Sequence, residues 1–219
     1  MTKLLKTAAF ALTATAILLS APATQAATIT YNLTSDHCTG GCLTNQTSGG
    51  TVTITDGAAG TVSVNVSLLN GNGFVGTGLD ATFGFNLSGD PTITYSGLPA
   101  NWIVEGPNSP SLTEPVGSLH MDGTGFFEYG VKWGTQGGGN ATFLPLNFTI
   151  TGTGLTTASF QQNAAGNFFA VDIISGTTGN TGAIDASTPN TSVPDGGSTL
   201  TLLGSVLLGV GMLRRKLGK

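Results

Sequence analysis

Two cysteines, Cys38 and Cys42, lie four residues apart in the segment DHCTGGC (residues 36–42), and the chain contains no others. Two cysteines in an exported protein pair as a disulfide, and the two glycines allow the loop to bring the Cα atoms within about 7 Å. The alternative is a metal site in which His37 joins the cysteines and His120 completes the ligands. The two ends of the chain have the patterns of an exported protein, which favours the disulfide. We therefore predict no metal and no cofactor.

Few residues in the body of the chain have the types and spacing that catalysis needs. His120 and Asp122 are two apart, so on a strand they point the same way and line one face. Glu105, Glu114 and Glu128 offer carboxylates for glycoside hydrolysis, a reaction that depends on a separation the sequence does not give. No GxSxG nucleophile motif is present. We predict that the protein is not an enzyme, with a hydrolase as an alternative.

Three aromatic residues, Trp102, Tyr129 and Trp133, are candidate platforms for sugar rings. A carbohydrate-binding module is therefore a second alternative function. Apolar and polar alternation also favours a place in the core for at least half of these aromatics.

The C-terminal 27 residues combine three features. The segment VPDGGST (193–199) contains a helix-breaking proline and a glycine pair. An uncharged apolar run follows over 200–213, which as a helix spans about 21 Å against a hydrocarbon core of about 30 Å; flanking residues extend it. A basic cluster at 214–216 marks the cytoplasmic end. The tail predicts a short transmembrane helix with the body on the opposite side of the membrane.

This order of features resembles the C-terminal signal of the PEP-CTERM family in its VPD-type variant. The resemblance implies that an exosortase, an integral-membrane transpeptidase-like enzyme, recognises Val193, Pro194, Asp195 and Gly196 and cuts nearby. Asp195 and Gly196 stand where the Pro-Glu-Pro form has Glu and the second Pro. A plain stop-transfer anchor is the alternative.

The same resemblance implies an itinerary: a membrane-anchored precursor, transient contact with the membrane, then the cell surface or extracellular matrix, in association with exopolysaccharide. The body is also similar to PEP-CTERM proteins that carry an N-terminal HCTGGC element. Their later stretches are similar to Phe126–Gly130, Gly152–Leu155 and the GNTG segment at 179–182. That similarity implies no activity.

The N-terminus has the pattern of a secretory signal peptide. Lys3 and Lys6 precede an apolar stretch, and small residues at positions 24 and 26 fit a cleavage site after Ala26. Residues 1–26 are therefore predicted to form a signal helix that is removed on export.

The predicted mature body is strongly acidic. Between Ala27 and Val193 the only basic residue is Lys132, against ten Asp and Glu, a balance of −9. Because so few cations cannot neutralise phosphates, the composition excludes nucleic acid as a partner.

Alternating apolar and polar residues, as in TVTIT (51–55) and TVSVNVSL (61–68), predict strands joined by glycine-rich turns. About ten such strands predict an all-β fold, an antiparallel, jelly-roll-like β-sandwich. We place this domain at residues 27–175. The polar stretch 176–192, whose one large apolar residue is Ile184, is predicted to be a flexible linker to the sorting signal and helix of 193–219.

Overall fold

A computed structural model describes residues 26–107 and 117–190 of the protein. The predicted signal peptide, apart from Ala26, and the predicted C-terminal sorting signal and helix lie outside the described residues. In the described part of the chain, no helix has the length and apolar character needed to cross a membrane.

The regular secondary structure of the described residues is almost entirely β, and all of the strand pairs are antiparallel. The strands are β1 (Thr28–Leu33), β2 (Ser35–Asp36), β3 (Gly50–Asp56), β4 (Thr61–Leu68), β5 (Gly73–Phe74), β6 (Phe83–Leu87), β7 (Thr94–Ser96), β8 (Trp102–Glu105), β9 (Leu119–Met121), β10 (Gly125–Phe127), β11 (Tyr129–Trp133), β12 (Leu146–Thr151), β13 (Phe160–Gln161), β14 (Phe169–Ile174), β15 (Thr181–Ala186) and β16 (Pro189–Asn190). Two 3-10 turns, η1 (Gly138–Asn140) and η2 (Thr157–Ser159), are the helical elements of this part.

The first sheet has the strand order β16-β1-β3-β4-β12-β7. The alternating segments predicted to be strands form β3 and β4, which pair over their full length as a hairpin. At its turn Gly60 has φ +77°, a conformation that glycine adopts without strain. Because the consecutive strands β3 and β4 lie side by side in one sheet, next to β1, this sheet does not have the predicted jelly-roll connectivity.

The second sheet has the strand order β2-β15-β14-β6-β11-β8, with β13 paired to β6 and β5 paired to β14. Its inner residues and those of the first sheet form one hydrophobic cluster. Ring centroids of Tyr31 (β1) and Phe169 (β14) are 4.8 Å apart, and those of Phe148 (β12) and Phe83 (β6) are 6.1 Å apart. The two sheets therefore face each other, as in a β-sandwich, and truncating one of these rings to alanine costs about 3–5 kcal/mol.

The outer face of the second sheet is also buried. A smaller cluster joins residues of β9 and β10 to small residues of the sheet; its members are Leu79, Ala81, Leu119, Met121, Phe127, Ala170 and Ala183. A Cβ on Gly84 of β6 would lie 2.8 Å from the Met121 sulfur, so the absence of a side chain there permits this close packing. The β9–β10 hairpin thus forms a third layer.

The prediction of a flexible linker over 176–192 is wrong for its described residues. Thr181–Ala186 is the inner strand β15, paired along its whole length with β14, and Ala183 to Ala186 are buried. Pro189–Asn190 then pairs with β1. The β domain therefore extends beyond residue 175 to at least Asn190.

Candidate functional site

The DHCTGGC segment forms a compact loop after β2, and the carboxylate of Asp36 holds it closed. Backbone N–H groups of Cys38, Cys42 and Leu43 donate to that carboxylate at 3.0, 2.7 and 2.8 Å. Cys38 and Cys42 are bonded to each other, with Cα atoms 5.6 Å apart. An aspartate that accepts from a backbone N–H two residues later is a known turn signal, so the role of Asp36 was recognisable in the sequence but was missed.

This loop lies on the turn between β14 and β15. Asn180 Nδ2 and Thr178 Oγ1 both donate to the carbonyl of Gly41, at 2.9 and 3.0 Å, and Ser175 Oγ donates to the carbonyl of Cys42 at 2.7 Å. A Cβ on Gly182 would lie 2.8 Å from the Cα of Cys38. The HCTGGC and GNTG elements, 137 or more residues apart in the chain, therefore form one structural unit.

The geometry of the loop does not favour a metal ion. Asp36, Cys38 and Cys42 have ligand atoms within 4.8 Å of one another. The two sulfurs are bonded to each other, however, and the carboxylate already accepts three N–H groups. Metal binding requires free thiolates.

His37 faces a buried carboxylate rather than the cysteines. Its Nε2 lies 2.7 Å from Oδ2 of Asp185, a β15 residue that is 1% exposed. The other oxygen, Oδ1, is buried without a hydrogen-bond partner. Because an unpaired buried carboxylate is costly, His37 stabilises this carboxylate. No serine, threonine or thiol of the described residues is hydrogen-bonded to His37, so the pair lacks the nucleophile of a triad.

The three predicted sugar-stacking aromatics do not share a surface. Trp102 and Trp133 are cross-strand partners with ring centroids 5.6 Å apart, and both are half-buried. Tyr129 is 1% exposed, stacks on Phe85, and donates its hydroxyl to the carbonyl of Pro91 at 2.7 Å. Burial, together with nearby carboxylates, raises the pKa of Tyr129 to about 12. Tyr129 is therefore a core residue and does not present a ring to a ligand.

The other candidate catalytic residues are dispersed. His120 Nδ1 and Asp122 Oδ1 are 3.4 Å apart on an exposed surface. Glu105 is buried, and Glu114 lies outside the described residues. Burial and the neighbouring Asp90 raise the pKa of Glu128, whose Oε2 accepts the Leu87 N–H at 3.1 Å. None of these geometries identifies a catalytic pair.

One buried carboxylate escaped sequence analysis. Asp172 of β14 is fully buried, and its oxygens accept the N–H and the hydroxyl of Thr77 at 2.8 Å. Burial raises the pKa of Asp172 to about 6, even though Thr77 and Lys132 oppose the shift. Its strand neighbours are apolar, so the sequence shows no polar motif around it.

Comparison with known protein families locates the functional signal at the C-terminus. Residues 192–217 match the VPDSG-CTERM motif. The match includes the predicted recognition residues Val193, Pro194, Asp195 and Gly196, and it identifies a sorting signal of the PEP-CTERM type. No curated protein and no solved structure is significantly similar to the chain.

A sorting motif of this kind indicates an exported protein that is handled at the membrane. Only two residues separate Asn190, the last residue of β16, from Val193 of the VPD signal. The described domain therefore continues almost to the motif, which leaves little chain between the last strand and the signal.

Proposed function

We propose that the protein is exported, is cut by an exosortase-type membrane enzyme near Pro194, and is delivered to the cell surface or the extracellular matrix. The observation that carries this proposal is the VPDSG-CTERM match at residues 192–217. The N-terminal signal-peptide pattern and the bonded cysteines support it, because disulfides persist in oxidising compartments outside the cytosol.

In this proposal Val193, Pro194, Asp195 and Gly196 present the cleavage site. Proline restricts the backbone and glycine permits many conformations, a composition that suits a recognition sequence for a processing enzyme. The apolar run and the basic cluster retain the precursor in the membrane until cleavage.

The delivered domain has a structural or adhesive role in the exopolysaccharide and performs no catalysis. Its acidic charge keeps it soluble in transit. The dispersed placement of His120, Asp122, Glu105 and Glu128 agrees with a non-enzymatic role, since catalysis requires groups that converge on one reacting atom.

A carbohydrate-binding module on the same route is the second candidate. The observation that favours it is the Trp102–Trp133 pair, whose half-buried rings lie side by side at one end of β8 and β11. Sugar binding that Trp133→Ala abolishes would support this candidate.

Intact mass of protein recovered from the surface and medium fractions of the native host tests the sorting proposal. We expect a species that lacks residues 1–26 and ends near 193–195, with any added mass identifying its attachment. Pro194→Ala should retain the tail through Lys219, whereas Thr188→Ala, an exposed substitution outside the motif, should be processed normally. A wild-type protein that keeps its tail in both fractions would refute processing.

A further inference from the structure

The outer face of the first sheet is a continuous array of small uncharged polar side chains. Every outward-pointing position on its long strands is threonine, serine or asparagine, and each is exposed or half-buried. Together with the edge strands, the array, which we call the hydroxyl face, consists of Thr28, Thr30, Asn32, Thr51, Thr53, Thr55, Thr61, Ser63, Asn65, Ser67, Thr94, Ser96, Asn147, Thr149, Thr151 and Asn190.

Strand register arranges these side chains in rows across the sheet. One row crosses five strands through Thr28, Thr55, Ser63, Thr149 and Ser96. Neighbours in a row are about 4.8 Å apart, and successive rows about 6.8 Å apart. The face therefore offers a repeating set of hydroxyl and amide groups to a ligand that itself repeats.

Contacts within the hydroxyl face fix the side chains before a ligand arrives. The hydroxyls of Thr30 and Thr53 are 3.1 Å apart, Asn65 Nδ2 donates to Asn147 Oδ1 at 2.5 Å, and Ser67 Oγ donates to Asn65 Oδ1 at 3.2 Å. Threonine is also restricted at χ1. Binding thus loses little side-chain entropy, and each hydroxyl keeps capacity beyond these bonds because it has one donor and two acceptor sites.

A shallow groove of about 390 Å³ lies at the centre of the face. Its volume is within the range of small-ligand sites. The polar residues that line it are Thr53, Thr55, Ser63, Asn65, Asn147 and Thr149, with Gly97 at the rim. The groove gives one part of a long ligand a concave seat.

The chemistry of the face selects its occupant. The array contains no charged side chain, although the domain as a whole is acidic, so it offers no counter-charge to an ionic ligand. It has no exposed apolar patch for a protein partner. A twisted sheet does not stay in register with a rigid flat lattice. A flexible, neutral chain with a hydroxyl at each step fits all three constraints.

We propose that the hydroxyl face binds a neutral polysaccharide, with the groove around Ser63 as its central subsite. This inference rests on the proposed delivery to an exopolysaccharide and deepens it by naming the surface and the charge class of the glycan. Each hydrogen bond adds little in water, so binding is weak per sugar residue and is strengthened by repeated contacts along the polymer.

Co-sedimentation of the full-length protein, in mild detergent, with beads that carry a soluble neutral β-glucan tests the proposal, with beads of acidic alginate in parallel. The variant Thr53→Val/Thr149→Val removes two hydroxyls and keeps strand propensity. We expect it to bind β-glucan about tenfold more weakly, since two hydrogen bonds of modest net strength in water are lost. Thr34→Val/Thr188→Val, two exposed threonines outside the face, is the matched control and should bind like the wild type.

A second variant, Ser63→Glu, puts a charge in the groove and should weaken binding further than the double valine variant, while the thermal unfolding midpoint stays unchanged. Binding to β-glucan that survives both face variants, binding lost instead in Trp133→Ala, binding to alginate alone, or no binding would each overturn the proposal. Sedimentation does not depend on processing at Pro194, so a failure to bind β-glucan would not contradict the sorting proposal. Conversely, a tail that stays intact in the host would contradict the sorting proposal but not the proposal that the hydroxyl face binds polysaccharide.

Discussion

At the scale of single residues, two buried aspartates, Asp172 and Asp185, differ in the groups that contact their carboxylates. Asp185 has His37 as a partner at 2.7 Å, whereas Asp172 has the N–H and hydroxyl of Thr77. Hydrogen bonds compensate only part of the cost of burying a carboxylate. The two aspartates therefore make different contributions to stability, and the contribution of Asp172 depends on pH.

Asp172 predicts a loss of stability as the pH rises through about 6. In the unfolded chain its pKa is near 3.8, so between about pH 4 and pH 6 the folded state holds a proton that the unfolded state has released. Stabilisation from this group is thus complete at low pH and is lost on ionisation, by at most about 3 kcal/mol for a shift of about two units. Asp172→Asn should abolish this part of the pH dependence.

Urea unfolding of wild type and Asp172→Asn at pH 4, 5, 6 and 7 measures this effect. The variant should gain stability relative to the wild type as the pH rises, with most of the gain between pH 4 and 6. Asp80→Asn, a change at an exposed carboxylate that does not contribute to the shift of Asp172, is the control and should show a much smaller change. Parallel pH curves for wild type and Asp172→Asn would contradict the assignment.

At the scale of elements, the loop at residues 36–42 is held by two devices of different strength. The disulfide closes a ring of only five residues, so the chain-entropy estimate gives it about 2 kcal/mol. Asp36 accepts three N–H groups, all of them from the buried residues Cys38, Cys42 and Leu43. Charge-assisted bonds of this kind contribute about 1.5–3 kcal/mol each.

We therefore expect Asp36→Ala to destabilise the domain at least as much as the double variant Cys38→Ser/Cys42→Ser. Denaturant unfolding of both variants gives the comparison, and Asp80→Ala, whose carboxylate accepts one N–H at an exposed residue, serves as control. If the cysteine variant proves clearly less stable than Asp36→Ala, the disulfide and not the carboxylate is what closes the loop.

The elements differ in how far the sequence predicts them. Strands β1, β3 and β4 have one buried and one solvent-exposed face, so their alternation of apolar and polar residues is visible. Strand β15 lies beneath the cysteine loop and the β9–β10 hairpin, so it needs Gly182 and Ala183, whose small size resembles that of linker residues. Small residues at 176–192 predict a flexible segment, but in this fold they are needed because neighbouring elements pack closely against β15.

The candidate sites also differ in how far the sequence predicts them. The sorting signal is local in sequence, and the motif match confirms it. Tyr129 sits on the same side of β11 as the buried Val131, and only the structure shows that its ring is enclosed while Trp133 remains half-exposed. The hydroxyl face depends on the register of six strands that come from both halves of the chain, so no single segment reveals it.

At the scale of the whole molecule, the position of β15 between β2 and β14 decides where the domain ends. Ile184 and Ala186 of β15 belong to the main core, and β16 adds a strand to the other sheet. A chain truncated after Ser175 loses both strands and exposes the apolar faces they cover. We expect this truncation to be unfolded, since one buried isoleucine alone contributes about 2–5 kcal/mol on removal to alanine and total stability is about 5–15 kcal/mol.

A chain truncated after Ser192 keeps every strand of the described residues and should unfold cooperatively. Far-ultraviolet circular dichroism and thermal melts of the two truncations, both starting at Ala27, separate these cases, and Ile184→Ala in the longer chain tests whether β15 is the cause. A protein that ends at Ser175 and still folds cooperatively would show that β15 is dispensable. Residues 176–192 would then be a linker, as the sequence predicts. An unfolded protein ending at Ser175, with Ile184→Ala also destabilising, means that the proposed cleavage near Pro194 would fall within about ten residues of β15, a strand the core requires.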